Sequence, residues 1–430
     1  MFLTMRTLWA MVPSIVVVVL LPRPALLAAW TGVVTLLVAA DVAATPSTRH
    51  LSAQRRTARA IRLGASTTST VTVTNSGPRA VTLSLRDAWP PSAGASKEYG
   101  DLTVPAGQHR QHVTTLTPWR RGYRQAGPLT VRSTGPLGLA GRQTSLQAEA
   151  TLRVLPAFSS RRHLASRQAR LREMDGRSAV ITRGEGTEFD SLRGYVVGDD
   201  ARSIDWRSSA RRSEVVVRTW RPERDRRVLV LLSTGRTSAV RLGDEPRLDL
   251  QIEAALLLAA LASHAGDRVE VAALDSAVRL QVRGESGPAL MSTLANGLAP
   301  VEARLVEPNW PLMASVARSS LSQRALVVVL AALDGAGADA GMLQALSALA
   351  HQHTVVLASA TDPSLEKLRA RRDDTEAVYT ASAAEMDLIE HDAVRRYLHR
   401  AGVVVVEASG SRLAPDLADT YLDLKIAGRL

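Results

Sequence analysis

The chain contains no cysteine among its 430 residues, so disulfide bonds, thiol nucleophiles and cysteine-ligated metals are excluded. Lysine is almost as rare, because only Lys97, Lys367 and Lys425 occur and every other basic side chain that counts toward the net charge of +12 is arginine. Aromatic residues make up 4% of the chain, and no basic helix with interleaved aromatics is present. We therefore expect no nucleic-acid partner. A basic surface that faces anionic lipid or an acidic protein is the better interpretation of the charge.

Sequence motifs of the common catalytic classes are also absent. The chain has no G-x-x-x-x-G-K-[ST] loop for a nucleoside triphosphate, no H-E-x-x-H zinc motif and no G-x-S-x-G nucleophile elbow. These absences favour a protein that is not an enzyme and that carries no cofactor.

Two apolar segments stand at the N-terminus, at residues 7–21 and 25–43, separated by a Pro-Arg-Pro tip. Each segment is at the short end of the roughly 17–25 residues that a membrane span requires. Together they predict a transmembrane helical hairpin over residues 1–45. A signal peptide is the alternative interpretation, and the second apolar segment disfavours it.

Arginine predicts the orientation of this hairpin. Five arginines follow the second segment between Arg49 and Arg62, whereas the tip carries only Arg23 and no acid occurs between Asp41 and Asp87. Because positive charge near spans stays on the cytoplasmic side, both ends of the hairpin and all that follows are predicted to be cytoplasmic.

Three further regions differ in their pattern. Residues 46–156 alternate Thr and Val with polar residues between Pro and Gly turns, which predicts an all-β, sandwich-like domain. Residues 157–183 are basic, and we interpret them as a solvated linker with some helix. Residues 227–430 alternate short apolar runs with longer Ala/Leu-rich segments. That alternation predicts an α/β domain with a doubly wound parallel sheet.

Between the linker and the sheet lies a stretch, 184–223, with a dense alternation of acids, arginines and apolar anchors. Gly198-Asp199-Asp200 has the composition of a turn. Asp205 stands where a helix N-cap would, before the helix-compatible run that starts at Trp206. Together with the connector, this stretch makes up a connector and signature region over residues 157–226. We expect ion pairs to hold the stretch in an irregular path.

The run GTEFDSLRGYVVGDDARSIDWRSSAR, residues 186–211, closely resembles the signature of the bacterial domain of unknown function 58 family. The resemblance implies a membrane hairpin, a β domain, the signature and a von Willebrand A-like domain. It also implies a MoxR-type AAA+ ATPase as partner and the bacterial inner membrane as location. The signature positions expected to carry interactions are Glu188, Phe189, Leu192, Arg193, Tyr195, Gly198, Asp199, Asp200, Arg202, Asp205, Trp206, Arg207 and Arg211.

Domains of the von Willebrand A type often carry a metal-ion-dependent adhesion site that begins with D-x-S-x-S. Mg²⁺ at such a site needs hard oxygen ligands. Here the corresponding residues are Ser233, Gly235 and Thr237, with Arg236 between them. The first carboxylate and a hydroxyl are therefore missing, and we expect no bound metal.

These patterns leave three functional interpretations. The first is a membrane-anchored, non-enzymatic adaptor for an AAA+ ATPase in an envelope-related process. The second is a metal-dependent or hydrolytic enzyme that uses the signature carboxylates, and the third is an exported envelope-binding protein. We expect Trp206 to be buried between the signature and the α/β domain. We expect Arg193, Arg202 and Arg207 to pair mainly with signature acids rather than with a partner.

Overall fold

The computed structural model describes residues 1–20, 24–181, 188–197, 199–212, 214–221, 226–333, 340–362 and 364–430. The backbone divides into two compact units, 1–157 and 158–430. The boundary lies one residue after the predicted end of the β domain. The first unit contains the N-terminal helices and the β domain, and the second contains the connector, the signature and the α/β domain. The finer division into four domains stays a prediction.

Two apolar helices, α1 (Met5–Leu20) and α2 (Pro24–Ala44), follow the short strand β1 (Phe2–Leu3). They pack against each other, and the indole Nε1 of Trp30 donates to the carbonyl of Ala10 at 3.2 Å. Among the described residues, one helical segment, Pro24–His50, is long and apolar enough to cross a membrane. The other helix has 16 residues, about 24 Å at 1.5 Å per residue, which is short of the roughly 30 Å hydrocarbon core. The predicted pair of spans is therefore one helix of membrane length paired with a shorter one.

The remainder of the first unit is all β, as predicted. Its strands are β2 (Leu51–Thr57), β3 (Ala60–Arg62), β4 (Thr67–Asn75), β5 (Val81–Asp87), β6 (Ala95–Ser96), β7 (Tyr99–Val104), β8 (His109–Leu116), β9 (Gly122–Gln125), β10 (Leu129–Thr134), β11 (Ala140–Leu146) and β12 (Thr151–Leu155). They form sheets in the orders β1-β11-β10-β5-β7, β2-β4-β8-β6 and β3-β12-β9. Because side chains alternate along a strand, Val71 and Val73 point inward and pack with Leu83, Leu85 and Leu129 of the facing sheet.

Both ends of the helix pair are fastened to the turn between β10 and β11. Strand β1 pairs antiparallel with β11, with Leu3 opposite Ala140. At the other end, the buried carboxylate of Asp41 accepts backbone N–H groups from Leu137 at 2.7 Å, Leu139 at 2.8 Å and Ala140 at 2.9 Å. A carboxylate near a helix end thus accepts three backbone donors of the turn, of which that of Ala140 is buried.

In the second unit, strands and helices alternate along the chain. They are α3 (Leu164–Ile181), β13 (Glu188–Gly194), α4 (Trp206–Arg212), β14 (Val216–Arg221), β15 (Arg227–Ser233), β16 (Arg241–Leu242), β17 (Glu245–Pro246), α5 (Arg247–His264), β18 (Arg268–Leu274), β19 (Val278–Val282), α6 (Gly287–Leu298), α7 (Trp310–Ser320), β20 (Leu326–Leu330), α8 (Ala340–Ala350), β21 (Thr354–Thr361), α9 (Ser364–Ala370), α10 (Thr375–Arg400), β22 (Val404–Ser409) and α11 (Leu413–Ile426). The main sheet has the order β19-β18-β15-β20-β21-β22. All its neighbours are parallel except the edge strand β19, which runs antiparallel to β18.

Helices cover both faces of this sheet. In β15, Val228, Val230 and Leu232 pack into a core with α5, α6 and α11, whereas Leu229 and Leu231 pack into a second core with α7 and α8. A strand buried on both faces reads as a continuous apolar run, which is why the sequence predicted this strand and the doubly wound architecture correctly.

The interpretation of residues 157–183 as a solvated linker is wrong. Helix α3 packs against α5 and α11, and Leu171 is buried in their core. The guanidinium of Arg167 donates to the carboxylate of Asp419 at 2.6 Å. Leu164 and Leu171 are seven residues apart and so share one face of the helix. Because arginines dominate the rest of the helix, the composition of this segment indicated a solvated linker and the narrow apolar stripe was not recognised.

Candidate functional site

The signature folds as a β-hairpin with a helical insertion. Strands β13 and β14 pair antiparallel, with Leu192 opposite Arg218 and Gly194 opposite Val216. Residues 195–215, which we call the signature loop, leave and rejoin this hairpin. At the base of the loop the backbone N–H of Tyr195 donates to the carbonyl of Val215 at 2.8 Å. The hairpin therefore holds the loop at both ends.

Two aspartates fix the first half of the signature loop. The carboxylate of Asp199 accepts the backbone N–H of Val196 at 3.0 Å and two N–H groups of Arg193 at 2.7 and 2.6 Å. The hydrogen bond to Asp199 raises the pKa of the Arg193 guanidinium further above its usual value. Asp200 caps the 3₁₀ turn that follows, since its side chain accepts the backbone N–H of Arg202 at 2.9 Å. Asp199 and Asp200 of the predicted turn thus both bind nearby backbone N–H groups, and Gly198 lies outside the described residues.

Asp205 fixes the second half, as the N-cap predicted for it. One carboxylate oxygen accepts the backbone N–H of Ser208 at 2.9 Å, and the other accepts from the guanidinium of Arg218 at 2.9 Å. The hydrogen bonds from Ser208 and then Arg218 hold the pKa of the Asp205 carboxyl below its usual value. A short charged cap of this kind makes α4 begin at Trp206. The role of Arg218 was not predicted, because it lies on the far strand of the hairpin.

Trp206 is 69% exposed, so the prediction that it is buried is wrong. Helix α4 has seven residues and buries none of its side chains. Its contact with the hairpin is polar, because the Ser209 hydroxyl accepts the backbone N–H of Val216 at 2.9 Å. The indole of Trp206 therefore faces solvent at the start of a helix that packs no apolar side chain against the hairpin.

Exposed apolar and basic side chains share the signature loop and α4. Val197 is 94% exposed, and Val196 and Tyr195 are also exposed. The signature surface, as we define it, consists of Tyr195, Val196, Val197, Arg202, Trp206, Arg207 and Arg211.

Internal pairing of the signature arginines is confirmed for one of the three. Arg193 pairs with Asp199. Arg202 and Arg207, like Arg211, are exposed and make no salt bridge with any carboxylate in the described part of the chain. The surface therefore offers cationic groups that the described acids do not neutralise.

The remaining predicted signature residues belong to β13. Leu192 is half-buried in the hairpin. Glu188 and Phe189 pair through their backbones with Arg221 and Trp220 of β14. The placement of the side chains of Glu188 and Phe189 lies outside the described residues.

The degenerate adhesion motif lies at the carboxyl end of β15. Ser233 is buried, and its Oγ has no hydrogen-bond partner among the residues that the structure describes. The neighbouring Thr234 hydroxyl donates to the carboxylate of Asp275 at 3.1 Å, and the guanidinium of Arg279 donates to the same carboxylate at 2.7 Å. Burial would raise the pKa of Asp275, but the hydrogen bonds from Arg279 and the neighbouring donors outweigh it and lower the pKa. Arg279 thus supplies the positive charge beside this carboxylate.

A covering loop restricts access to the same strand end. The backbone N–H of Arg236 donates to the carbonyl of Val306 at 2.9 Å. A Cβ on Gly235 would lie 2.8 Å from Pro308, so only glycine fits beneath this loop. Thr237 is half-buried, and its backbone carbonyl accepts from Arg247. Within the described ranges, no three His, Cys, Asp or Glu side chains are grouped to hold a metal ion.

The sequence analysis did not identify Asp275 and Arg279. Their signal was an acid directly after the apolar run of β18, followed four residues later by a base. Such an acid lies at the carboxyl edge of the sheet, beside the end of β15.

Comparison with solved structures gives low similarity. The CARDB domain of a Pyrococcus furiosus protein is 12% identical over 24% of this chain and 87% of its own, with a TM-score of 0.20. A FixG-related protein from Vibrio parahaemolyticus is 12% identical over 25% of this chain and 98% of its own, with a TM-score of 0.18. A β-glucosidase from Listeria innocua is 15% identical over 24% of this chain and 16% of its own, with a TM-score of 0.14. Likenesses this low support no conclusion about function.

Among curated proteins, none matches the sequence. The profile of the family described as "Protein of unknown function DUF58" matches residues 191–407, just over half of the 430 residues. This range begins within the signature hairpin and ends in β22 of the main sheet. The chain is therefore a member of the DUF58 family.

Proposed function

We propose that this protein is a membrane-anchored, non-enzymatic adaptor whose signature surface binds a MoxR-type AAA+ ATPase in an envelope-related assembly process. The observation that carries the proposal is the exposed Trp206 on a helix that Asp205 caps. An indole on a fixed backbone costs little entropy to bind. Tryptophan and arginine are also the side chains that most often dominate protein interfaces.

The chemistry of the signature surface defines the partner that it suits. Its arginines favour an acidic partner surface, and opposite charges would accelerate encounter and fix the orientation of the complex. Val197 and Trp206 would fill an apolar depression within that surface. The lack of a nucleoside triphosphate motif in this chain fits a protein that depends on a partner for ATP hydrolysis.

The enzymatic alternative has less support. Asp199 and Asp205 accept hydrogen bonds from arginines and backbone amides, and the pKa of Asp205 is lowered. A carboxylate held ionised in this way is a poor general acid. At the sheet edge, Arg279 occupies the neighbourhood of Asp275 that a metal cation would need. These observations favour structural roles for the carboxylates.

The strand order also supports a von Willebrand A-like domain, as the family resemblance implies. The degenerate motif that begins at Ser233 lies at the carboxyl end of a central parallel strand, where an adhesion motif would stand. The closed strand end favours recognition through the signature surface instead of capture of a carboxylate through a bound ion.

The N-terminal helices would anchor the protein in the bacterial inner membrane, with both folded units in the cytoplasm. Strand β1 precedes α1 and pairs with β11. Cleavage as a signal peptide would remove that strand, so the pairing supports an uncleaved anchor. The exported alternative is correspondingly disfavoured.

Affinity purification of the full chain in detergent from its host, with and without ATP, tests the proposal. We expect a MoxR-type AAA+ ATPase, identified by mass spectrometry, to be enriched in at least one of the two conditions. Arg207→Glu should reduce that enrichment while the melting temperature stays unchanged. If no such ATPase is enriched in either condition, the adaptor function is wrong. If Arg207→Glu leaves the enrichment unchanged, the adaptor function stands and the contact lies elsewhere.

A further inference from the structure

Helix α10 carries a second apolar stripe on the side opposite to its packed face. Its packed face contains Ala377, Ala381, Ala384 and Leu398, all buried. The opposite stripe contains Tyr379, which is 75% exposed, and the exposed residues Ala383, Met386, Ala393 and Tyr397. The described fold therefore leaves one of the two apolar stripes of α10 uncovered.

This second stripe follows a heptad spacing. Counting from Glu376, steps of three and four residues lead in turn to the residues of what we call the α10 seam: Glu376, Tyr379, Ala383, Met386, Glu390, Ala393, Tyr397 and Arg400. Alternate steps of three and four are the spacing of positions that meet a second helix in a coiled coil. Helix α9 lies on a neighbouring face, where Arg369 pairs with Glu385 at 2.6 Å, and it leaves the seam exposed.

The seam reads almost the same in both directions about Leu388. Turning it end for end places Tyr379 opposite Tyr397 and Ala383 opposite Ala393. The same turn places Glu376 opposite Arg400, so that both ends pair opposite charges. A patch that is complementary to itself after a two-fold rotation is the requirement for an isologous dimer.

We propose that the α10 seam is a homodimer interface in which two copies of this chain pair their α10 helices antiparallel about Leu388. Ile389, which is 55% exposed, flanks the axis and would contact its own symmetry mate. Glu390 would face Met386 of the second copy, and a charged residue in a seam fixes the register at a cost in affinity. The dimer is therefore weak and reversible, and confinement of both copies to a membrane would favour it by raising their effective concentration.

Cysteine cross-linking in membranes tests both the pairing and its direction, because the natural chain has no cysteine. The full-length double variant Ala383→Cys/Ala393→Cys should form a disulfide-linked dimer under mild oxidation, as seen on a non-reducing gel. Each single variant should form little, because antiparallel pairing holds identical positions about 15 Å apart along the axis. The two cysteines of one helix are equally far apart, so they cannot react within one chain. Efficient cross-linking of the single variants would show parallel pairing and would overturn the proposal.

Exchange of the charges at Glu376 and Arg400 provides a second test. Its readout is the mass of the full chain in detergent, measured by sedimentation. Glu376→Arg should shift the protein toward monomer at concentrations where the natural chain dimerises, and Glu376→Arg/Arg400→Glu should restore the dimer. Both reversals oppose the helix dipole, so the restored mass cannot come from a more stable helix. Glu285→Arg, at an exposed acid before α6, is the matched control and should leave the mass unchanged.

Replacing the charge of Glu390 tests the proposal even if the natural dimer dissociates at the concentrations used for sedimentation. Glu390→Leu should lower the concentration at which dimers form by at least tenfold. Monomers at every concentration for both the natural chain and Glu390→Leu would overturn the proposal.

Discussion

Individual aspartates do most of the shaping of the signature. Asp199, Asp200 and Asp205 each accept at least one backbone N–H within the signature loop. Asp199 and Asp205 also each bind an arginine of the hairpin strands. Short carboxylates suit this role because they reach backbone amides two or three residues away along the chain. These three aspartates therefore have a structural role in the signature loop.

The cap of α4 can be tested at Asp205. Asp205→Ala should increase the hydrogen-exchange rate of the Ser208 and Ser209 amides, because the capping acceptor is lost and α4 frays. Asp205→Asn should retain most of the protection, since asparagine caps nearly as well as aspartate. Equal protection in the alanine variant and the natural chain would show that the cap does not hold the helix.

The ion pair at the end of β18 predicts a pH dependence. The folded-state pKa of Asp275 lies below its usual value of 3.8. The carboxylate therefore contributes stability that is complete above pH 3.8 and is lost as the pH falls through the folded-state pKa. The natural chain should melt at a higher temperature than Asp275→Asn at neutral pH, and this difference should shrink below about pH 4. A difference that is constant from pH 7 to pH 3 would contradict the assignment.

At the scale of elements, the turn between β10 and β11 joins the helix pair to the β domain. Asp41→Ala removes the acceptor of three backbone N–H groups and should cost about 1–3 kcal/mol of unfolding free energy. Asp41→Asn keeps one oxygen acceptor and should cost less. Thermal unfolding in detergent measures both variants. An unchanged melting temperature for Asp41→Ala would mean that these three hydrogen bonds do not contribute to stability.

The elements whose apolar pattern is set by burial could be predicted from the sequence, whereas the exposure of a single aromatic side chain could not. The apolar run of β15 and the alternation of β4 specified their sheets. Helix α3 was mistaken for a linker because only one narrow stripe, with Leu171, is apolar. Trp206 was expected in the core because its size favours burial, yet α4 buries none of its side chains and the indole is exposed. In the sequence, an exposed aromatic cannot be distinguished from a core aromatic.

At the scale of the whole molecule, the proposed membrane anchor predicts a topology for the two folded units. A fusion of alkaline phosphatase after Leu430 should be inactive, because that enzyme folds only outside the cytoplasm, whereas a cytoplasmic reporter fused at the same position should be active. The arginines between Arg49 and Arg62 are the physical reason, since they resist translocation. An active phosphatase and an inactive cytoplasmic reporter would place the folded units on the other side of the membrane.

The central claim is that the signature surface binds the ATPase through its exposed tryptophan. The most direct measurement is the amount of host MoxR-type ATPase that co-purifies with Trp206→Ala, compared with Trp119→Ala, which changes an indole that is 62% exposed in the β domain. We predict that Trp206→Ala loses at least tenfold of the bound ATPase while its melting temperature stays close to that of the natural chain. Trp119→Ala should retain the natural amount. Equal recovery of the ATPase with both variants would contradict the account.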